Sequence, residues 1–399
     1  MSSTATETRP ARADKLARTA LYYAGFVALG LAAASLGPTL GGLAQHTHTR
    51  LSEISFVFSA SRLGYLIGSF VAGRMYDRWP GHMVMVGMFI MMAAMLALMP
   101  VMPLLWLLAA VVLMLGMGEG AMDLGGNTLL MWVHRAEVGP FMNGLHFAWG
   151  LGAFLSPIIV AQAVLISGDI TWAYWMLALL MIPVVIGLLS VPSPVAPASR
   201  HATQSGRADH VLLVVLIAMF LFLYVGAEGS LGGWIFTYTV ALGLSSQTAA
   251  AYLTSAFWGA ITVGRLLAIP IAVRLRPRSI LLMDVVGCLI SISIIVLWPT
   301  SLLAVWVGAV GTGLAMASVF PTILALAESR MHITGRITAW FFVGTGLGGM
   351  TVPWIIGQLF EPVGAYATMV TIMAAIVLMA GVCVALMLAT RKHGVTLKA

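Results

Sequence analysis

Twelve long runs of apolar residues, separated by short polar segments, constrain the fold of this 399-residue chain more than any other feature. A helix of about 20 apolar residues crosses the hydrocarbon core of a bilayer. A spanning segment must also satisfy its own backbone hydrogen bonds, and a helix does so. The sequence therefore predicts twelve transmembrane helices, which we number spans 1 to 12. Their predicted ranges are 19–44, 51–73, 83–100, 104–133, 140–166, 171–191, 211–240, 248–272, 279–298, 302–327, 336–360 and 364–390.

Composition excludes the soluble classes of protein. Hydrophobic residues make up 60% of the chain and charged residues 8%, against roughly 25% charged residues in soluble domains. The net charge of +7 would suggest nucleic acid as the partner of a soluble protein. In a membrane protein this charge reports topology instead, and we expect no nucleic-acid partner. The fold class predicted is an all-α membrane protein whose partner is the lipid bilayer.

The positions of the basic residues predict which loops face the cytoplasm. With a cytoplasmic N-terminus, 17 of the 20 Lys and Arg fall on the inner side, Arg50 falls outside, and Arg62 and Arg265 lie within helices. Basic residues are enriched in cytoplasmic loops, and one missed helix would invert every later loop. We therefore predict a multi-pass protein with both termini cytoplasmic. Its Met, Ala, Gly and Trp content favours a bacterial inner membrane.

The chain is predicted to consist of two six-helix halves. Residues 192–210, between spans 6 and 7, are rich in Pro, Ser and Ala, as expected of a linker. Residues 1–18 are polar and basic, which is typical of a cytoplasmic tail and not of a signal peptide. The predicted units are a tail at 1–18, a bundle at 19–191, a cytoplasmic linker at 192–210, a bundle at 211–390 and a tail at 391–399.

An internal repeat supports this division. A shift of about 195 residues aligns five pairs: Gly116 with Gly311, Gly118 with Gly313, Gly150 with Gly344, Gly152 with Gly346, and Gln162 with Gln358. Two homologous halves related by an axis normal to the membrane are typical of transporters, which place the substrate site near the midplane between the halves.

The connection between spans 2 and 3 reads G-R-M-Y-D-R-W-P-G-H, from Gly73 to His82. It resembles the G-x-x-x-D-R signature of the major facilitator superfamily. We expect Gly73 to permit close helix contact and Asp77, followed by Arg78, to bind an arginine or a helix N-terminus. In the second half Pro277 stands where Asp77 would fall, so the charge interaction is predicted in one half alone.

Span 4 holds the densest group of polar residues at membrane depth. Glu119, Asp123 and Asn127 are four residues apart and share one helix face. Two close carboxylates in a medium of low dielectric constant cannot both ionise freely, so either one holds a proton or a cation such as Arg62 or Na⁺ lies between them. The alternative is a fixed ion pair of Arg62 with a carboxylate, which would join spans 2 and 4.

Spans 5 and 7 carry the other polar candidates. Asn143, His146 and Trp149 lie on span 5; His146 could hydrogen-bond a substrate hydroxyl or titrate, or be satisfied by a backbone carbonyl. On span 7, Tyr224 precedes Glu228 by four residues. A carboxylate beside aromatic rings can bind a sugar. The sugar hydroxyls donate hydrogen bonds to the acid, and the apolar C–H face of the sugar stacks on an aromatic ring. The same groups could bind a cationic drug.

Three further residues have a predicted role. Arg265 on span 8 and Asp284 on span 9 are interpreted as a structural pair near the inner gate, in preference to substrate contacts. Trp340 on span 11 is a candidate for stacking on a sugar ring, although a single tryptophan is often a packing or interface residue.

Four motifs resemble the fucose/glucose/galactose symporters and the related sodium-dependent glucose transporter-like proteins. They are G-M-G-E-G-A-M-D-L-G-G-N at 116–127, the set Asn143, His146, Gly152 and Ala153, Y-V-G-A-E at 224–228, and G-L-A-M-A-S-V-F-P-T-I at 313–323. The resemblance implies monosaccharide binding, with Asp123 taking part in sugar binding or coupling. One departure is Gly37 before Pro38, where proton-coupled fucose transport uses an aspartate. Coupling could be by Na⁺, by a proton on Asp123 or Glu119, or absent.

The function predicted is secondary transport of a neutral, hexose-like monosaccharide by alternating access, coupled to H⁺ or Na⁺. The candidate substrate-binding residues are Asp123, Asn127, Asn143, His146, Trp149, Tyr224, Glu228 and Trp340. Asp123 and Glu119 are the coupling candidates. The gating or structural candidates are Arg62, Gly73, Asp77, Arg78, Arg265 and Asp284.

The alternative function is proton-coupled efflux of drugs or amphipathic solutes. Its G-P-x-x-G-G signature belongs on span 5, but the string occurs at 37–42 on span 1.

We expect no enzyme, because no phosphate-binding loop, H-E-x-x-H motif or Ser-His-Asp set is present. Cys288 and Cys383 lie in apolar runs and indicate no disulfide or metal site. We predict a monomer without a cofactor.

Overall fold

A computed structural model of the chain describes residues 12–194, 211–331 and 334–392. Every regular element in these ranges is helical, and twelve helices are long and apolar enough to cross a membrane. The helices, in chain order, are Arg12–Ala33 and Leu36–His46 (span 1), Leu51–Ile54 and Phe56–Arg78 (span 2), Gly81–Leu98 (span 3), Leu105–His134 (span 4), Val138–Ser167 (span 5), Ile170–Leu179 and Ile182–Ser190 (span 6), Val211–Ala241 (span 7), Gln247–Arg274 (span 8), Pro277–Leu297 (span 9), Leu302–Met316 and Val319–Glu328 (span 10), Gly335–Val363 (span 11) and Ala367–Lys392 (span 12). The predicted fold class is confirmed.

Short polar residues start several of these helices. Asp169 caps span 6 by accepting a hydrogen bond of 2.5 Å from the amide of Thr171. Ser246 caps span 8 and Ser301 caps span 10 in the same way. Such caps satisfy amide groups that have no partner within the helix. These capping residues lie in the polar segments that separate the apolar runs of the sequence.

Prolines account for three of the four breaks within spans. Pro38, Pro183 and Pro321 follow the breaks of spans 1, 6 and 10 within a few residues. A proline has no amide hydrogen, and its ring clashes with the carbonyl four residues earlier. The backbone must therefore depart from helical geometry just before it. The break in span 10 places residues 319–328 as a separate segment beside the central cavity.

The helices pack as two similar six-helix halves. Spans 1 and 5, and spans 2 and 4, pack together in the first half, while spans 7 and 11, and spans 8 and 10, do so in the second. Spans 2 and 4 approach so closely that a Cβ atom at Gly120 would collide with the carbonyl oxygen of Tyr65. This small residue therefore permits the close backbone contact that brings both helices to the central cavity.

The two ends of the molecule differ in how the halves meet. We call the end where span 1 begins the terminal face, and the opposite end the distal face. Six hydrogen bonds between the halves lie in the distal parts of the spans. Phe58 of span 2 packs on Trp234 of span 7 there, with ring centroids 5.9 Å apart, and Trp234 is fully buried. The halves are thus closed at the distal face.

The signature between spans 2 and 3 is arranged differently from the prediction. A Cβ atom at Gly73 would meet only Leu124, at 3.9 Å, so the close contact of spans 2 and 4 does not depend on Gly73. Asp77 and Arg78 are exposed at the terminal face. Neither makes a hydrogen bond or an ion pair with any residue that the structure describes, so the expected interaction of Asp77 is not formed in this arrangement of the halves.

Several predictions concern segments outside the described residues. Most of the linker at 192–210 and most of both tails fall there, as do the basic residues Arg9, Arg200, Arg207 and Lys398. The exact division of the chain at these segments stays a prediction.

Candidate functional site

A cavity of about 720 Å³ lies between the two halves near the middle of the spans. Both halves contribute polar and aromatic side chains to it. They include Arg62, Tyr65, Glu119, Asp123, Asn143, His146, Trp149, Glu228, Trp258, Arg265 and Ser318. Its wall extends toward the terminal face through Ala272, Pro277 and Ala325, where spans 8, 9 and 10 have their terminal ends. Because the distal side is sealed, the cavity is accessible from the terminal face.

Asp123 is held in position by two neighbours on the wall formed by the first half. The hydroxyl of Tyr65 on span 2 donates to Asp123 Oδ2. The Nδ2 group of Asn127 donates to Asp123 Oδ1 at 3.1 Å and to its backbone oxygen at 2.8 Å. The carboxylate is thus oriented from both sides, and hydrogen bonds to a charged acceptor are among the stronger ones.

Glu119 has a different environment one helical turn away. Its side chain is 6% exposed and lines the same cavity. It makes no hydrogen bond or ion pair with any part of the chain that the structure describes. The positive charge of Arg62, which lines the same cavity, acts on it. The predicted alternative, a fixed ion pair of Arg62 with a span 4 carboxylate, is therefore not formed.

Arg62 instead extends across the boundary between the halves. A Cβ atom at Gly349 of span 11 would lie 3.2 Å from Arg62 Cγ and 3.3 Å from its Nε. The lack of a side chain at Gly349 makes room for the arginine. Its guanidinium remains at the cavity, where its charge acts on both Glu119 and Glu228.

Glu228 is the acid that the second half contributes. Tyr224, one turn earlier on span 7, donates from its hydroxyl to Glu228 Oε1 at 2.8 Å. The same hydroxyl lies 3.3 Å from the backbone oxygen of Met316 on span 10. Tyr224 is 2% exposed and does not line the cavity. It therefore positions Glu228 and has no surface for a substrate.

An aromatic corner spans the two halves. Trp149 of span 5 and Trp258 of span 8 meet edge to face, with ring centroids 5.7 Å apart. The guanidinium carbon of Arg265 lies 5.9 Å from the centre of the Trp149 ring, a cation–π distance. These three side chains form part of the cavity wall. They offer ring surfaces beside cationic and carboxylate groups.

Asn143 and His146 also line the cavity, on the part of span 5 nearer the terminal face. The ring of His146 lies edge to face on Phe26, 6.1 Å away. Within the described residues, neither side chain is engaged in a hydrogen bond. Both are therefore available to a solute.

Four predicted residues are placed differently. Asn127 positions Asp123 and does not line the cavity, and Trp340 is 54% exposed and does not line it either. Asp284 accepts hydrogen bonds of 2.9 Å and 2.7 Å from Ser318, whereas Arg265 lies over Trp149. The predicted pair of Asp284 with Arg265 is not formed in this arrangement of the halves, because each side chain has another partner.

Sequence reasoning did not single out Tyr65, which reaches Asp123 from a neighbouring span. Tyr65 follows Arg62 by three residues, so both lie on one face of span 2. That spacing was a usable signal, because a face carrying Arg62 at membrane depth points toward the protein interior. Ser318 at the break of span 10 was also missed as a lining residue.

Comparison with known proteins assigns the family. Residues 22–353 match the family described as Major Facilitator Superfamily. The chain belongs to the Major Facilitator Superfamily. This superfamily member is similar to sodium-dependent glucose transporter 1 of Xenopus laevis, with 32% identity over 358 residues that cover 82% of this chain and 73% of that protein. Sodium-dependent glucose transporter 1 of Homo sapiens is 29% identical over 374 residues, covering 84% and 72%.

Solved structures agree on the fold. The D-xylose-proton symporter superposes with a TM-score of 0.73 at 15% identity, covering 91% of this chain and 97% of that chain. The nucleoside transporter NupG superposes with a TM-score of 0.76 at 12% identity, covering 93% and 99%. At such identities the likeness concerns the fold alone. The predicted family resemblance is confirmed, and the relatives are transporters and not enzymes.

Proposed function

We propose that this superfamily member is a secondary transporter that moves a neutral monosaccharide across the membrane by alternating access between its two halves. The observation that carries the proposal is the central cavity, accessible from one face, to which each half contributes one oriented carboxylate and one tryptophan. Carboxylates accept hydrogen bonds from sugar hydroxyls, and tryptophan rings cover the apolar face of the sugar.

The charges around the cavity favour a neutral solute. Two arginines, Arg62 and Arg265, oppose three acids, Glu119, Asp123 and Glu228. The near balance gives a cationic drug little electrostatic advantage over a polar neutral molecule. The relatives named as sodium-dependent glucose transporters support a sugar as the solute. No comparable finding supports the efflux alternative.

We further propose that a cation, Na⁺ or H⁺, couples transport at Glu119 and Asp123. Glu119 faces the cavity without a hydrogen bond or ion pair to the described residues, and it lies one turn from Asp123. A buried carboxylate in that state is stabilised by a bound proton or by a metal cation. The names of the relatives favour Na⁺. The residue before Pro38 is Gly37 and not an acid, which favours the span 4 acids as the site of coupling.

We assign the terminal face to the cytoplasm. Arg74, Arg78, Arg274 and Arg276 lie there, whereas Arg50 lies at the distal face. This distribution follows the enrichment of basic residues on the cytoplasmic side. The assignment makes the described arrangement inward-open. We also propose a bacterial inner membrane as the location and a monomer as the working unit, since each half completes the cavity of the other.

The test is a ligand screen followed by flux. The melting temperature of the purified protein is measured with a panel of monosaccharides, with and without Na⁺ and at two pH values. Sugar uptake into proteoliposomes is then measured with a Na⁺ or pH gradient imposed across their membrane. We expect one or more hexoses to raise the melting temperature and to accumulate with one gradient. Trp149→Ala should weaken binding, while Trp106→Ala, at a position 66% exposed on span 4, should not. Stabilisation by cationic dyes but by no sugar would contradict the proposal.

A further inference from the structure

Two glutamines make hydrogen bonds between the halves at the distal face. Gln162 Nε2, on span 5, donates to the hydroxyl of Tyr252 on span 8 at 2.6 Å. Gln358 Nε2, on span 11, donates to the backbone oxygen of Ser52 at 2.7 Å and lies 3.4 Å from Ser55 Oγ, both on span 2. Each glutamine therefore crosses from one half to the other.

The internal repeat relates these two glutamines. Gln162 and Gln358 are an aligned pair of the repeat, so they occupy equivalent positions on spans 5 and 11. Spans 2 and 8, which carry their partners, are also equivalent in the two halves. The approximate two-fold axis thus produces two matching contacts, one on each side of the closed distal end. A packing accident would not be expected to recur at both equivalent positions.

Glu361 strengthens one of the two contacts. One turn beyond Gln358 on span 11, its carboxylate accepts from the backbone amide of Leu51 at 3.1 Å and from Ser52 Oγ at 3.2 Å. The first amides of a helix lack partners within the helix, and a carboxylate there is favourable. Glu361 therefore caps span 2 from the opposite half.

These bonds are suited to a contact that must open. They lie at exposed positions, where water can replace each partner, so a single bond contributes little net stability. They are formed at the distal face while the terminal face is open. Breaking them would be required for the distal face to open, and several weak bonds can together set the balance between the two states.

We propose that Gln162 with Tyr252, and Gln358 and Glu361 with the start of span 2, are paired latches that hold the distal gate closed and set the equilibrium between the inward-open and outward-open states. This inference rests on the alternating access of the proposed function. The latch residues touch no substrate. They act on the gate and position the halves.

The first test measures opening of the distal face without any solute. Cys288 and Cys383 are changed to alanine, and the cavity-lining Ala33 is changed to cysteine as a reporter. A membrane-impermeant thiol reagent is added from the distal side. We expect Gln162→Leu and Gln358→Leu each to raise the labelling rate about 3- to 10-fold, since each removes one hydrogen bond of modest net value. The double variant should show roughly the product of the two effects.

The matched control is Gln45→Leu. Gln45 is an exposed glutamine on the same face, and within the described residues its side chain makes no bond to the other half. Its labelling rate should equal that of the parent. Equal rates in the parent and all four variants would overturn the latch proposal. A faster rate in Gln45→Leu would do the same, because it would show a general loosening of the face.

A second test locks the gate and does not depend on loosened variants folding well. Ser52→Cys and Glu361→Cys are combined in the same background and joined by a short bifunctional thiol reagent. We expect cross-linking to abolish distal labelling of the Ala33→Cys reporter and to stop transport. When the cross-linking reagent contains a disulfide, reducing that disulfide should restore both labelling and transport. Undiminished labelling after complete cross-linking would refute the latch. Labelling needs no sugar, so the two proposals can fail separately. If no sugar is transported but the labelling rate still depends on the latch residues, the proposed solute is rejected and the latch proposal is retained.

Discussion

The two halves present the same kind of group to the cavity, a carboxylate held by a tyrosine hydroxyl, but they hold it differently. In the first half Tyr65 reaches Asp123 from a neighbouring span, and Asn127 donates to the other carboxylate oxygen. In the second half Tyr224 reaches Glu228 from one turn earlier on the same helix. The first arrangement depends on how two helices are placed. In the second the bond to the acid lies within one helix, although the same hydroxyl also lies 3.3 Å from the backbone oxygen of Met316 on span 10.

The surroundings of the two acids differ as well. Asp123 has a second acid, Glu119, one turn away and facing the same cavity, and the charge of Arg62 acts on Glu119. Glu228 is the one acid that the second half contributes to the lining. Under the proposed function we expect a division of roles. The first half would bind the coupling cation and link its binding to helix movement, while the second half would contribute mainly to solute binding.

The largest effect is expected for Asp123→Asn. The amide keeps the size of the side chain but loses the charge and one strong acceptor, so gradient-driven uptake should fall roughly 100-fold. Exchange of labelled for unlabelled sugar across the membrane should be reduced much less, because it needs no net movement of the cation. Uptake and exchange are measured in the same proteoliposomes. An equal loss in both assays would assign Asp123 to solute binding alone and remove the division of roles.

Glu119→Gln should separate coupling from binding more cleanly. The residue lines the cavity but makes no hydrogen bond to the described residues, so replacing it should leave the position of Asp123 intact. We expect the dependence of uptake on the imposed gradient to be lost. The sugar concentration that gives half of the maximal thermal shift should change by less than about 3-fold. Retained accumulation against a gradient in this variant would place coupling elsewhere.

Sequence alone predicted much of this arrangement, for physical reasons. Apolar runs of membrane length fixed twelve spans, and a spacing of four residues put Glu119 and Asp123 on one face. Both signals are local in the chain. Burial of ionisable residues in a bilayer is costly, so acids within spans were sound candidates for an interior cavity.

The parts that could not be predicted depend on contacts between distant segments. Tyr65 and Asp123 are 58 residues apart, and the direction in which each side chain points depends on helix rotation. The same is true of Trp340, which has the residue type of a stacking group but lies outside the cavity. Opposite charge alone predicts a pair of Asp284 with Arg265. In the structure Asp284 instead accepts from a hydroxyl on span 10, and Arg265 lies over a tryptophan ring on span 5.

Glu228→Gln tests the other side of the comparison and should have an intermediate effect. The amide retains one acceptor oxygen, so sugar affinity should fall about 10-fold, as expected when a hydrogen bond to a charged group is weakened. The dependence on Na⁺ or pH should be unchanged, because the acids proposed to couple transport lie in the first half. Affinity is measured by quenching of tryptophan fluorescence at several cation concentrations. A change in cation dependence would show that both halves take part in coupling.

The tyrosines provide the finest comparison and the smallest effects. Tyr224→Phe removes a hydroxyl that bonds to Glu228 within one helix, and the charge of Arg265 still acts on that carboxylate, so sugar affinity should fall only about 2- to 3-fold. Tyr65→Phe removes the bond between spans 2 and 4 and should reduce the gradient dependence of uptake more than it reduces affinity, because Asn127 still orients Asp123. Both variants keep the aromatic ring, so packing is unchanged and the hydroxyl alone is tested. If the two substitutions altered affinity and coupling in equal proportion, the distinction between a bond within a helix and a bond between helices would have no functional meaning here.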